Sequence, residues 1–316
     1  MKRSTIETAA ETVYRSIPPT PQYRWPLLCE RVGVNLWLKH ENHTPVGAFK
    51  VRGGLVYFAE QADALRGGVI CATRGNHGQS IAFAAAKYGI PVTIVVPRGN
   101  SVEKNRAMKG LGATLVEQGD DFQESLDYAL RLASERGLQF VPSFDPLLVA
   151  GVATYSLELL TAVDDLDVLY VPIGLGSGIC GALAARDALG LSTEIVGVVS
   201  ASAPAYQQSL ESGQAVECAA TTRIADGMAC RKPHPEALEI ILKKISRIVA
   251  VTDDQVEQAM RDIFECTHNV AEGAGAAAVA AATLEAGTLG DKKVAAPLCG
   301  GNVDRDVFAA ILSNGG

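Results

Sequence analysis

The chain has 316 residues and a formal net charge of −7; hydrophobic residues make up 48% and charged residues 20%. That length suits two compact α/β lobes or one large domain, and the composition excludes a disordered or fibrous chain. An acidic balance lacks the basic face that a duplex binder needs, so nucleic acid is not an expected partner.

The opening stretch, MKRSTIETAAETVYRSIPPT, has basic residues with no apolar run behind them and does not read as a secretory signal. The first predicted strand is VNLWLK (34–39), whose Lys39 reads as an ordinary strand-end lysine. GAFKVRGG (47–54) follows, with a second lysine, Lys50. Strand GVICAT (68–73) runs through the turn TRGNHGQS (73–80) into the helical pattern SIAFAAAKYG (80–89). After strand VTIVVP (92–97), Arg98, Lys104, Arg106 and Lys109 have the spacing of a solvated helix face. TLVEQ (114–118) is a strand, and FQESLDYALRLASERG (122–137) has one apolar helix face that ends at Gly137. QFVPS (139–143) is a short strand, and PSFDPLLVAG (142–151), rich in proline and glycine, reads as a non-helical joint. Strands DVLYVPIG (167–174), EIVGVVS (194–200), RIVAVT (247–252) and VAAPLCG (294–300) complete the set, with GMACRKPHPEA (227–237) irregular. The alanine-rich AGAAAVAAAT (274–283) is too short to span a bilayer, so no membrane partner is expected. Strand–helix alternation predicts an α/β fold, with parallel-rich twisted sheets covered by helices on both faces. The seven cysteines include no CxxC pair, which fits a reducing, cytoplasmic setting and no disulfide framework.

Ligands of doubly wound α/β proteins sit at the carboxyl ends of strands, and three turns there are unusual. Gly75, Asn76 and His77 open a helix, which offers free N–H groups to a carboxylate; the plainer alternative is that Asn76 caps the helix. Gly174, Gly176 and Gly178 let the backbone approach a phosphate, although Ile179 stands where a dinucleotide fingerprint needs its third glycine. A monophosphate cradle or a merely tight turn both fit that loop. Cys299 opens CGGNVD (299–304) at the end of the last strand; alone it reads equally as a small core residue. Taken together, a monophosphate site, room for an aromatic ring and a lysine describe pyridoxal phosphate. A nicotinamide-dependent oxidoreductase would leave Lys50, Asn76 and Cys299 unexplained. A non-catalytic metabolite-binding module would not need Lys50.

GAFKVRGG, TRGNHGQS, GLGSG, IADG (224–227), AEGAGA (271–276) and CGGNVD follow one another in the order of the fold-type II pyridoxal-phosphate enzymes, and the chain resembles their threonine/serine dehydratase and serine racemase branch from about residue 20 to 310. The resemblance implies a two-lobed molecule with the cofactor between the lobes. Residues 1–48 and 146–316 would form a large cofactor-binding domain and residues 49–145 a small substrate-side domain. It implies that Lys50 bonds the cofactor, Phe49 packs beside the ring, and Asn76 hydrogen-bonds the ring hydroxyl. Gly174, Leu175, Gly176, Ser177 and Gly178 would hold the phosphate, and Cys299 would face the ring nitrogen. A thiol there leaves that nitrogen neutral and favours elimination. Thr73, Gly75, Asn76 and His77 would line the substrate carboxylate, with Glu272 near the ring edge or the substrate hydroxyl. The implied reaction removes water from a 3-hydroxy-α-amino acid, giving a 2-oxo acid and ammonia, in a homodimer. Threonine and serine are the family's substrates; 3-phenylserine is a bulkier candidate. A 3-hydroxyaspartate dehydratase or an amino-acid racemase of the same fold are the alternatives.

Three positions depart from the branch. GLGSG replaces a run of glycines. Val199 and Ser200 stand where racemases place a metal carboxylate, so no metal is expected. Arg74 replaces the small residue that serves racemases as a second base, and a guanidinium stays protonated. Arg74 is read as a cation over the cofactor ring, as a partner for a distal substrate carboxylate, or as a surface residue. The chain stops soon after CGGNVD, so a regulatory domain and feedback by isoleucine are not expected.

Overall fold

The computed structural model describes residues 1–314. Its strands are β1 (Gln22–Tyr23), β2 (Asn35–His40), β3 (Val69–Ala72), β4 (Val92–Val96), β5 (Thr114–Glu117), β6 (Gln139–Phe140), β7 (Val168–Pro172), β8 (Glu194–Ser200), β9 (Ile248–Val251) and β10 (Lys293–Leu298). They form a six-stranded sheet, ordered β1-β2-β10-β7-β8-β9, and a four-stranded sheet, ordered β5-β4-β3-β6. Every pairing is parallel except β1 with β2. Helices link the parallel strands, because a parallel crossover needs a dozen or more residues and a helix is its usual solution. The α/β class with parallel-rich sheets flanked by helices is therefore as expected.

The central strands are apolar on both faces, and β3 and most of β7 and β8 are buried. The alanine-rich helix Gly273–Leu284 packs against β7 and β10 and is buried from Gly273 through Ala282. A helix that is apolar all round belongs inside the molecule, and alanine lets the sheet approach closely.

Local chemistry places the ends of the elements. Helix Phe122–Arg136 starts where the Asp121 carboxylate accepts from the Glu124 N–H and stops at left-handed Gly137. The expected joint at 142–151 is mostly wrong. Helix Pro146–Ala162 begins inside it, with Asp145 accepting from the Leu147 N–H at 2.7 Å and Pro146 in the first turn. Proline at that position costs no hydrogen bond, so it marks a helix start here and not a break. Strand β1, two residues long, was not anticipated.

Lys39 is no ordinary strand-end lysine. Its side chain is 0% exposed, and its Nζ donates to a Glu158 oxygen and to the Thr20 carbonyl, each at 2.6 Å. Its expectation rested on strand position alone, which is blind to the helix that packs across it.

Candidate active site

The three turns meet around Lys50. The Phe49 N–H donates to the Cys299 carbonyl at 3.0 Å and the Gly301 N–H to the Gly47 carbonyl at 2.9 Å. These bonds pin the start of helix Lys50–Gln61 to the end of β10. Lys50 Nζ then lies 3.0 Å from Ser177 Oγ, to which it donates, and 5.3 Å from the centre of the Phe49 ring. Tyr155 meets that ring edge-on. Burial pushes the Lys50 amine down to about 8, with only the Cys299 thiol acting in the other direction.

Ser177 is the first residue of helix Ser177–Leu189, whose N-terminus has no side-chain cap. The N–H groups of that turn are free for an anion. Gly176 has φ +104°, and a Cβ there would come within 2.6 Å of Ala237. Behind the loop, Tyr206 Oη donates to the Leu175 carbonyl at 2.9 Å and accepts from the His234 N–H at 3.0 Å. The loop is thus a braced, glycine-rich cradle with an amine at its rim. Gly174, Leu175, Gly176, Ser177 and Gly178 fit a monophosphate, and Lys50 fits an electrophile attached to it.

In the TRGNHGQS turn the helix begins at Asn76, earlier than the periodicity implied. Thr73 Oγ1 accepts from the Gly75 and Gly78 N–H groups at 2.9 and 3.3 Å, so Thr73 braces the turn from inside. Asn76 does not cap the helix. Its Nδ2 donates to Glu272 Oε1, and its Oδ1 accepts from Asn302 Nδ2 at 2.8 Å. His77 is buried with an unpartnered Nε2; burial first, then the Lys50 charge, pushes its imidazole down to about 3, so the ring is neutral. Cys299 Sγ donates to the Ala274 carbonyl at 3.3 Å, and burial raises the thiol well above its usual range. Arg74 is partly buried, and among the described residues it makes no ion pair, hydrogen bond or ring contact.

Sequence reasoning missed two members of the site. Lys104 is not on a solvated face: it is 6% exposed, and its Nζ lies 2.9 Å from both Asp226 and Glu272. Helix Val102–Gly110, which carries it, belongs to the four-stranded sheet, and its partners are more than a hundred residues away. Nothing in the local pattern separates Lys104 from Lys109. Asp226 lies within the IADG stretch and was visible as part of a motif, without a role. A cavity of about 260 Å³ lined by Lys104, Gln79 and Asn302 opens beside this network.

Comparison with known proteins identifies the family of the chain. The Pyridoxal-phosphate dependent enzyme family matches residues 13–300. An L-threonine ammonia-lyase from Thermotoga maritima is 34% identical over 312 residues, 98% of this chain and 78% of that protein. The processed form of threonine deaminase isoform 2 from Solanum lycopersicum superposes with a TM-score of 0.92 at 27% identity, covering 99% of this chain and 93% of that one. Maize serine racemase superposes with a TM-score of 0.90 at 26% identity, covering 99% and 97%. A family match across most of the chain, on a fold that carries a lysine beside an anion cradle, shows that the chain belongs to the pyridoxal-phosphate dependent enzymes.

Proposed function

We propose that this enzyme is a hydroxy amino acid dehydratase, which takes a 3-hydroxy-α-amino acid to a 2-oxo acid and ammonia. The observation that carries the reading is the Lys50 amine, held near neutrality at about 8 beside the Ser177 cradle. Relatives named L-threonine ammonia-lyase, such as the Thermotoga maritima protein at 34% identity, support the reaction class. When bound, pyridoxal phosphate supplies an electrophilic carbon for an amine and a sink for electrons released at the α-carbon.

The chain's own residues supply the rest. Lys50 would hold the cofactor and would take the α-proton: an amine with a pKa of about 8 can accept and return a proton near neutral pH. The N–H groups at the head of helix Ser177–Leu189 would hold the phosphate, and those of the Asn76–His77 turn would hold the substrate carboxylate. Asn76 would present its amide to the ring hydroxyl. The Cys299 thiol, kept protonated by burial, would offer the ring nitrogen a neutral neighbour that leaves it uncharged. Protonated Arg74 cannot act as a second base, which disfavours racemisation.

Threonine, serine and the bulkier 3-phenylserine are the proposed substrates. Partly buried, unpaired Arg74 favours a second reading, 3-hydroxyaspartate, because an unpartnered guanidinium suits a distal carboxylate. Steady-state assay of 2-oxo acid and ammonia on these four substrates tests both. The expected result is equimolar 2-oxo acid and ammonia from at least one, lost in Lys50→Ala. Interconversion of enantiomers without ammonia would overturn the dehydratase reading. Arg74→Ala separates the substrates: selective loss on 3-hydroxyaspartate supports the second reading.

A further inference from the structure

We propose that Lys104 is a positioning residue of the active site: by pairing with Glu272 it fixes the Asn76 amide in the orientation that offers a donor to the cofactor ring. This deepens the reading above and rests on its placement of Asn76 beside the ring.

The geometry is a continuous chain of contacts between the two sheets. Lys104 Nζ lies 2.9 Å from Glu272 Oε2 and donates to Asp226 Oδ2 at 2.9 Å. Glu272 Oε1 accepts from Asn76 Nδ2, and Asn76 Oδ1 accepts from Asn302 Nδ2. An ionised carboxylate only accepts, so it dictates which end of the Asn76 amide faces it. The second Nδ2 proton is then left for the cofactor. The Lys104 stem also packs on the turn itself: a Cβ at Gly75 would collide with Lys104 Cδ. The helix that carries Lys104 is anchored to the same region, since Ser101 Oγ and the Val102 and Glu103 N–H groups all donate to Asp304, two residues beyond Asn302.

Lys104 is the cation that faces Glu272. Asp226, the Asn76 amide and the Cys299 thiol are its other neighbours. Burial pushes the Glu272 carboxyl up; Lys104 opposes this, and Asp226 adds to it. Without Lys104, Glu272 would take a proton at higher pH, become a donor, and lose its hold on Asn76. An opposite charge at this range holds a carboxyl down by about 1–3 pH units.

The test is a pH titration of the visible absorbance of the cofactor-loaded enzyme, which needs no substrate, together with kcat/KM against pH. Lys104→Met should move the acid midpoint of the absorbance up by about 1–3 units and move the acid limb of kcat/KM with it. Lys104→Arg should stay near the parent midpoint, because it keeps the charge. In a Glu272→Gln background, Lys104→Met should add no shift. An unmoved midpoint in Lys104→Met, or an equal shift with and without Glu272, would overturn the proposal. If Lys104→Met does not fold, Lys104→Gln is titrated in its place with the same two outcomes. Failure of the parent enzyme to turn over any 3-hydroxy amino acid would sink the dehydratase reading alone, since the substrate-free titration still decides the role of Lys104.

Discussion

Lys50 is set apart by its surroundings. Lys104 is also buried, but two carboxylates hold its proton. Lys50 has a serine hydroxyl, a thiol, an aromatic ring and the neutral His77 imidazole around its amine and no carboxylate acting on it, so burial is not offset and its proton is loosely held. The neutral amine is the form that attacks an electrophile. Below about 8 its population falls roughly tenfold per pH unit. The rate at which pyridoxal phosphate reloads the cofactor-free enzyme should therefore rise with pH and flatten above about 8. Stopped-flow absorbance measures this directly, and a rate that keeps climbing towards the ordinary lysine range would show that the Lys50 proton is not loosened.

At the scale of elements, the phosphate loop depends on Gly176. Its φ of +104° is strained for any other residue, and Ala237 already fills the space a Cβ would need. Gly176→Ala should force the loop away from helix Pro235–Lys244 and weaken cofactor binding roughly fivefold to 150-fold, from about 1–3 kcal/mol of strain. Absorbance titration with pyridoxal phosphate gives the affinity; unchanged affinity would mean that the loop does not hold the phosphate. This loop was legible in the sequence because glycines after an apolar strand have few other uses. The strands were legible for a similar reason: runs such as EIVGVVS combine β-branched residues with burial on both faces. Helix Pro146–Ala162 is ambiguous in the sequence because Pro146 signals either a break or a first turn, and only the Asp145 cap decides between them. Lys104 and Lys39 were not legible at all. Each looks like a surface lysine until a remote element covers it, and burial by a remote element leaves no trace in local spacing.

At the scale of the molecule, the helix that bears Lys50 is held by a buried charge cluster. Lys39 comes from β2, Glu41 from the turn after it, Arg52 from helix Lys50–Gln61 and Glu158 from helix Pro146–Ala162. Arg52 donates to Glu41 at 2.7 and 3.0 Å and to Glu158 at 2.6 and 3.0 Å, and Lys39 completes Glu158 from the other side. Two cations and two carboxylates cancel, and that balance makes deep burial tolerable. Lys39→Met leaves the cluster with one surplus negative charge and should cost about 3–5 kcal/mol, read as a lower urea midpoint. Adding Glu158→Gln should recover part of the loss, since the surplus charge is then gone. The pH dependence follows from Glu158. Burial alone would raise its carboxyl, but Arg52 and then Lys39 outweigh this and hold it below the usual carboxylate range. The folded form therefore binds this proton less readily than the unfolded chain. Its contribution to stability is complete above the ordinary carboxylate range and is lost as pH falls through the depressed value. Removing Lys39 weakens that hold, so Lys39→Met should begin to lose stability at a higher pH than the parent. Urea midpoints measured across the acid range check both parts, and a variant as stable as the parent would show that Lys39 contributes nothing to holding the helix beneath the active site.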